Sequence, residues 1–423
     1  MNAFSYKNRD LYVENVAISA IASDVGTPSY IYSTLAMQEA YKCFTGAFSK
    51  QRAQVCFAMK SNSNLAVINT FAELGAGADV VSNGELMKAI SAGIKPKNIV
   101  YSGVGKTRQE MSAGIEAGIL QFNVESLPEL LLLSDIAASK NTSVDIAIRV
   151  NPDVDADTHH KISTGRKEDK FGIDISQAKD IFNQALSLPG LSPVSIAVHI
   201  GSQLTDLSPF ETAFKNVATL TRDLRSNGFE IKRLDLGGGL GISYGNNKAP
   251  NPDDYAKIVE STIGSLDCDL IFEPGRYLTG NAGILLTSVI YYKDTGYKRF
   301  VVVDAAMNDL LRPALYEAEH AIQEVRKPAD TKEVTKVDVV GPICETGDTF
   351  AIEYPLTSPV SGDLLVIKDT GAYGAVMASS YNSRPLVPEV LVSGEDYALV
   401  RRRETLEEQI NREFLAPWQN NIK

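Results

Sequence analysis

Apolar and polar positions follow two different rhythms along this chain. From residue 54 to residue 273, short apolar runs alternate with longer stretches of helical periodicity. The apolar runs predict strands over residues 54–58, 78–81, 98–102, 120–124, 144–150, 194–200, 231–236 and 269–273. Helical spacing falls between them, over 65–74, 84–92, 108–117, 127–139 and 210–226. Several of these stretches stop at a glycine (Gly75, Gly93, Gly118, Gly228), a residue that ends helices without steric cost. Eight strand–helix units in series predict an α/β chain with a (β/α)8, TIM-like barrel, and a doubly wound open sheet is the competing arrangement.

After residue 280 the texture changes. Residues 283–292, 299–304, 336–340, 363–368, 387–392 and 397–402 read as strands with little helical pattern between them, and 404–414 predicts a closing helix. The expected organisation is a barrel over 33–280 and a C-terminal mostly-β, barrel-like domain over 281–423, joined by residues 1–32. The polar stretch 153–170 predicts a loop after the fifth strand.

A chain of 423 residues exceeds one average core, which suits two domains. Its formal charge of −11 argues against nucleic acid or an anionic membrane as partner. Cys43, Cys56, Cys268 and Cys344 show neither paired nor zinc-like spacing, and His159 with His160 has no further ligand spacing, so no metal is expected. The first residues lack an apolar leader, and no run approaches the roughly 18 apolar residues of a span. A reduced, cytoplasmic setting is the expectation.

Catalytic groups of such a barrel gather at the carboxyl ends of its strands. Lys60 stands just past the first. An amine at the mouth of a buried strand is partly desolvated, which lowers its pKa and suits it to form a Schiff base; a structural lysine is the plain alternative. His199 falls at the end of the sixth strand, where a core histidine is the competing reading. Gly237, Gly238 and Gly239 follow the seventh strand, and Glu273, Pro274, Gly275 and Arg276 follow the eighth. Glycines let backbone amides approach an anion, and loops seven and eight are a frequent phosphate site, although a tight turn needs glycine too. Together these point to a phosphorylated cofactor bound through an amine, pyridoxal 5′-phosphate, with Glu273 on its ring nitrogen and His199 packed on the ring. In the second domain Arg312 and Tyr316 share one face if their segment is helical. Cys344 and Glu345 form a thiol–carboxylate pair in a loop that is otherwise a solvated turn.

With these segments in this order, the chain resembles the diaminopimelate decarboxylases, within the alanine-racemase-like, fold type III pyridoxal-phosphate decarboxylases. The likeness spans about residues 25–400. It rests on Ala58, Met59 and Lys60, on 199–203, on Leu234, Asp235 and Leu236 with the glycine run, and on 273–276, 307–316, 344–348 and 371–382. The resemblance implies that Lys60 holds the cofactor covalently and His199 stacks on it. It implies that Gly239, Gly275 and Tyr373 hold the phosphate, with Ser202, Gly238 and Pro274 close by, and that Glu273 meets the ring nitrogen. Arg276, Arg312 and Tyr316, with Tyr373 beside them, would take the substrate's distal carboxylate, and Glu345 its ammonium. Cys344 would donate a proton after CO2 leaves. Cys344 and Glu345 would come from a partner subunit, making a homodimer with a shared site and a small amino acid as substrate. Ser61, Ala197 and Ala306 depart from the usual pattern, where alanine, histidine and glycine are common. Related amino-acid or polyamine-precursor decarboxylases, acting on carboxynorspermidine or ornithine, are the nearest alternatives. A non-catalytic binding protein of the same fold is a more distant one.

Overall fold

The computed structural model describes residues 3–155, 165, 169–245, 248–328 and 334–419. His159 and His160, with most of the polar loop expected over 153–170, lie outside the described residues. The chain forms two units, Ala36–Asn281 and a second made of Met1–Leu35 with Ala282–Lys423.

In the first unit, eight parallel strands pair in chain order: Ala53–Ala58, Gly77–Val80, Ile99–Tyr101, Gln121–Val124, Val144–Asn151, Leu191–Ala197, Arg233–Asp235 and Asp269–Phe272. The last returns to the first, with Leu270 opposite Ala53, and the barrel closes. Closure explains why the strands are apolar almost throughout. Each is covered by barrel interior on one face and helices on the other, so most positions are buried whichever way they point, and polar residues that alternate into a strand, such as Arg149 and Asn151 of the fifth, are buried too. Under one side of that helical layer, Phe44, Phe48, Tyr255 and Phe272 interlock, with the Phe48 and Phe272 rings 4.2 Å apart. The helix limits come from local chemistry. Ser82, Thr107 and Ser126 each accept a backbone N–H at a helix start, Thr107 in a reciprocal capping box with Glu110. Gly118 ends its helix in the left-handed region that glycine adopts freely.

The sixth strand stops at Ala197, three residues earlier than the apolar run suggests, so His199 lies beyond it. Both neighbours leave it there: the seventh strand pairs only as far as Asp235 and then turns through Gly237, and the fifth, beyond Arg149, pairs with Ile173 and Asp174 instead. The closing helix is likewise shorter, Leu406–Ile410, because Arg412, Glu413 and Phe414 are exposed and no packing extends it.

The second unit centres on the twelve-residue strand Gly283–Asp294. It pairs antiparallel with Ser29–Ser33, Leu364–Ile367 and Arg299–Val303. Beyond these lie Thr335–Val340, Thr349–Leu356, Ile322–Glu324, Glu389–Ser393 and Asp396–Arg401, in one nine-stranded sheet. A one-turn helix, Arg312–Tyr316, follows Arg299–Val303. Among the described residues, no helix is long and apolar enough to cross a membrane.

Candidate active site

The first barrel strand ends at Ala58, and Met59–Ser61 makes a single 3-10 turn. That turn is tied down at both sides. Ala58 N–H donates to the Pro274 carbonyl at 3.2 Å, and the Ser61 hydroxyl donates back to the Ala58 carbonyl at 2.8 Å. Lys60 therefore leaves a rigid corner of the barrel mouth. Its Nζ lies 3.3 Å from Asp79 Oδ2, with the lysine side chain 37% exposed and the aspartate fully buried on the second strand. A carboxylate sealed inside, below an amine that reaches solvent, holds the amine's charged end at the mouth.

Asp79 shares this end of the barrel with two further buried carboxyls, Asp235 and Glu273, and its charge acts on both. Asn123 links two of them, its Nδ2 lying 2.9 Å from Asp235 Oδ2 and 3.3 Å from Glu273 Oε1. Gln121 holds the Asn123 carbonyl oxygen, which fixes the amide's orientation. Burial pushes the Asp235 carboxyl up to about 6, with hydrogen bonds from Asn123, Glu273 and Gly237 opposing the rise. Burial pushes Glu273 well above the usual carboxylate range, and the charges of Asp235 and Asp79 push it further. The two are hydrogen-bonded to each other and both are pushed toward the neutral form, which favours a proton held between them. Such a cluster carries more negative potential than Lys60 alone offsets, and it suits a cationic group above it.

The glycines beside this cluster are there for space. A Cβ on Gly238 would overlap the Glu273 carbonyl, and one on Gly239, at φ 112°, would sit 2.6 Å from the Gly201 carbonyl. At Gly275 it would press on Ser61 and Ala58, within about 3 Å of the turn that carries Lys60. Gly238 N–H donates to His199 Nδ1 at 3.2 Å, so the ring nitrogen facing it is bare. Burial, with the charges of Lys60 and Arg149, holds the imidazole well below its ordinary pKa, and His199 is neutral. Arg276 opens a short helix, buried, with Nη1 2.8 Å from the Tyr244 hydroxyl and Nη2 3.1 Å from Ser202 Oγ.

The second unit carries the remaining candidates. Arg312 and Tyr316 stand at the two ends of the same one-turn helix, Arg312 buried and Tyr316 half-buried. Cys344 and Glu345 are exposed on a tight loop. Asp348 braces that loop from within, accepting from Met307 N–H at 2.6 Å and Ile343 N–H at 2.7 Å. Asn382 accepts from Cys344 N–H at 3.1 Å, and the Tyr381 hydroxyl bonds to Glu345. Tyr373 adopts a left-handed backbone, φ 56°, next to Gly374, where a Cβ would meet the Thr370 carbonyl.

A family profile described as "Pyridoxal-dependent decarboxylase, pyridoxal binding domain" matches residues 35–280. A diaminopimelate decarboxylase of Pseudomonas aeruginosa is 47% identical to this chain over 99% of it and 100% of the relative. The chain belongs to the diaminopimelate decarboxylase family. Two solved diaminopimelate decarboxylases extend the likeness to three dimensions. That of Helicobacter pylori, complexed with L-lysine, is 41% identical with a TM-score of 0.90, over 93% of this chain and 98% of the other. That of M. jannaschii, in co-complex with L-lysine, is 37% identical with a TM-score of 0.94, over 99% of both chains.

As a diaminopimelate decarboxylase family member, the chain is a pyridoxal-phosphate-dependent carboxy-lyase, and its barrel mouth fits that cofactor. Side-chain-free backbone at Gly238, Gly239 and Gly275 leaves room for a phosphate. The buried carboxyl cluster suits a protonated ring nitrogen, and Asp79 Oδ1 is buried there without a hydrogen-bond partner. Sequence reasoning gave Asp79, Asn123 and Asp235 no role, although each is flanked by apolar residues on both sides, Asp79 by Ala78 and Val80, Asn123 by Phe122 and Val124, and Asp235 by Leu234 and Leu236. That signal was available. His320, Tyr381 and Asn382 also went without a role, and nothing in their local pattern marks them, because their partners lie eight or more residues away in the chain.

Proposed function

We propose that this protein decarboxylates meso-2,6-diaminopimelate to L-lysine and CO2, the last step of lysine biosynthesis. The observation that carries this is a strand-end amine beside a sealed carboxyl cluster, in a chain alike end to end to diaminopimelate decarboxylases. When bound, pyridoxal phosphate supplies an electron sink for the pair left on carbon as CO2 departs. The chain supplies the rest. Lys60 holds the cofactor, Glu273 keeps a proton where the ring nitrogen sits, and neutral His199 packs against the ring without adding a competing charge. Ser202, Gly238, Gly239, Pro274, Gly275, Arg276 and Tyr373 form the phosphate and ring surroundings.

The substrate presents a whole amino-acid group at its far end. Arg276, Arg312 and Tyr316 take that carboxylate and Glu345 takes its ammonium, a pairing of charges that an ornithine side chain, amine alone, would not satisfy. Cys344 gives the proton to the carbon. Its exposure, with that of Glu345, supports a homodimer in which this loop completes the partner's site. The reduced thiols suit a cytoplasmic enzyme.

Purified, cofactor-loaded protein is expected to release L-lysine from meso-diaminopimelate, with ornithine and carboxynorspermidine turned over far more slowly. Preference for either of those would overturn the substrate, and no turnover of any with no bound chromophore would favour a binding protein. Cys344→Ala is expected to keep the cofactor and lose roughly 10²-fold or more of the decarboxylation rate, as for removal of one positioned proton donor. A near-normal rate removes Cys344 from the reaction.

A further inference from the structure

His320 is buried, 4% exposed, and touches Arg312, itself 5% exposed. Arg312 Nη1 lies 2.7 Å from His320 Nε2, and His320 Nδ1 lies 2.7 Å from the Lys368 carbonyl oxygen. The hydrogens follow from the partners. A guanidinium only donates, so Nε2 accepts; a carbonyl only accepts, so Nδ1 carries the proton. One neutral tautomer satisfies both bonds. The backbone behind it is firm, with Lys368 N–H donating to the Ala321 carbonyl at 2.9 Å and Ile322 paired with Ile367 in the sheet.

We propose that His320 is a positioning residue that presets the Arg312 guanidinium for the substrate's distal carboxylate. The inference rests on the assignment of Arg312 to that carboxylate. Two physical reasons support it. An arginine side chain has many rotamers, and holding one beforehand removes an ordering cost that would otherwise weaken binding. A neutral imidazole also orients the guanidinium without cancelling its charge. A carboxylate in the same place would bond Arg312 at least as well, but it would leave less attraction for the substrate's own carboxylate.

L-lysine, which keeps the distal carboxylate, and cadaverine, which has the same amines without it, separate this role from a general structural one. The cofactor-loaded His320→Asn variant keeps a donor for Lys368 but places no acceptor at Nε2. It is expected to bind lysine roughly ten- to a hundredfold more weakly, as for the loss of one hydrogen bond to a charged group. The KM for meso-diaminopimelate rises in parallel, kcat changes less, and cadaverine affinity is unchanged. His320→Gln, whose amide oxygen reaches the Nε2 position, restores most of the lysine affinity. Unchanged lysine affinity in a folded His320→Asn variant overturns the proposal, and so does an equal loss for cadaverine. If the asparagine variant fails to fold, His320→Leu, which fills the space without an acceptor, takes its place: weakened lysine with unchanged cadaverine supports the role, and unchanged lysine affinity or equal weakening of both ligands overturns it. A wild-type enzyme that binds neither lysine nor diaminopimelate would instead remove the substrate assignment itself.

Discussion

Lys60→Ala is expected to abolish the visible absorbance of covalently held cofactor and to reduce turnover by at least the roughly 10²–10⁴-fold that one positioned acid–base group contributes. Losing the covalent anchor adds to that loss. Lys60 stands on a turn clamped to the end of the eighth strand, with its Nζ 3.3 Å from a carboxylate that has no exposure at all. No other lysine is held in this way at the barrel mouth among the described residues: Lys106, the buried one, is spent on Glu129 and two backbone carbonyls. Folding is expected to survive, because the lysine is more than a third exposed and its pairing with Asp79 is partly screened. Spectra before and after cofactor addition, with lysine release as the second readout, check this. Methylamine, a free amine, is expected to restore part of the activity; retention of the chromophore without added amine would show that Lys60 is not the anchor.

Glu273→Gln is expected to lower kcat by about 10²–10³-fold, the usual range for removing one preorganised electrostatic partner of a reacting group. Thermal stability is expected to stay close to that of the parent. In the cofactor-free protein burial and the charges of Asp235 and Asp79 disfavour ionisation of the Glu273 carboxyl and favour its neutral form. A neutral amide of the same shape therefore replaces a neutral acid. What the amide lacks is a proton that it can yield to a ring nitrogen and a negative charge to hold it there afterwards. Thermal melts of the cofactor-free proteins and single-turnover rates of the loaded ones test the two halves separately. A stable variant with near-parental kcat would release Glu273 from its role, whereas a large fall in melting temperature would show that the carboxyl cluster is mainly structural.

The barrel was largely legible in the sequence. Its strands are short, mostly buried runs in which apolar residues are frequent, and serine, threonine and glycine mark helix limits at Ser82, Thr107, Ser126 and Gly118. Such signals are local, so they survive without tertiary information. His199 shows where locality fails. The apolar run continues through Ile200, but the strand ends at Ala197 because both neighbours leave it, the seventh strand at Gly237 and the fifth beyond Arg149. Strand length belongs to the pair.

The same division holds for the chemistry. Lys60, Glu273 and the glycines could be named from position alone, since strand ends of a closed barrel converge by construction. Asp79, Asn123 and Asp235 sit on three different strands; pairing of the first two strands sets Asp79 beside Lys60, and only barrel closure brings Asn123 within hydrogen-bonding distance of Asp235 and Glu273. The link from Arg312 to His320 and on to Lys368 is of the same kind, spanning 56 positions by way of a sheet register. Sequence by itself determined which residue types stand at the strand ends and hence the class of cofactor. Tertiary structure alone decided that the buried carboxyls resist ionisation and which histidine tautomer faces an arginine, because both depend on burial and on partners that the chain order does not place side by side.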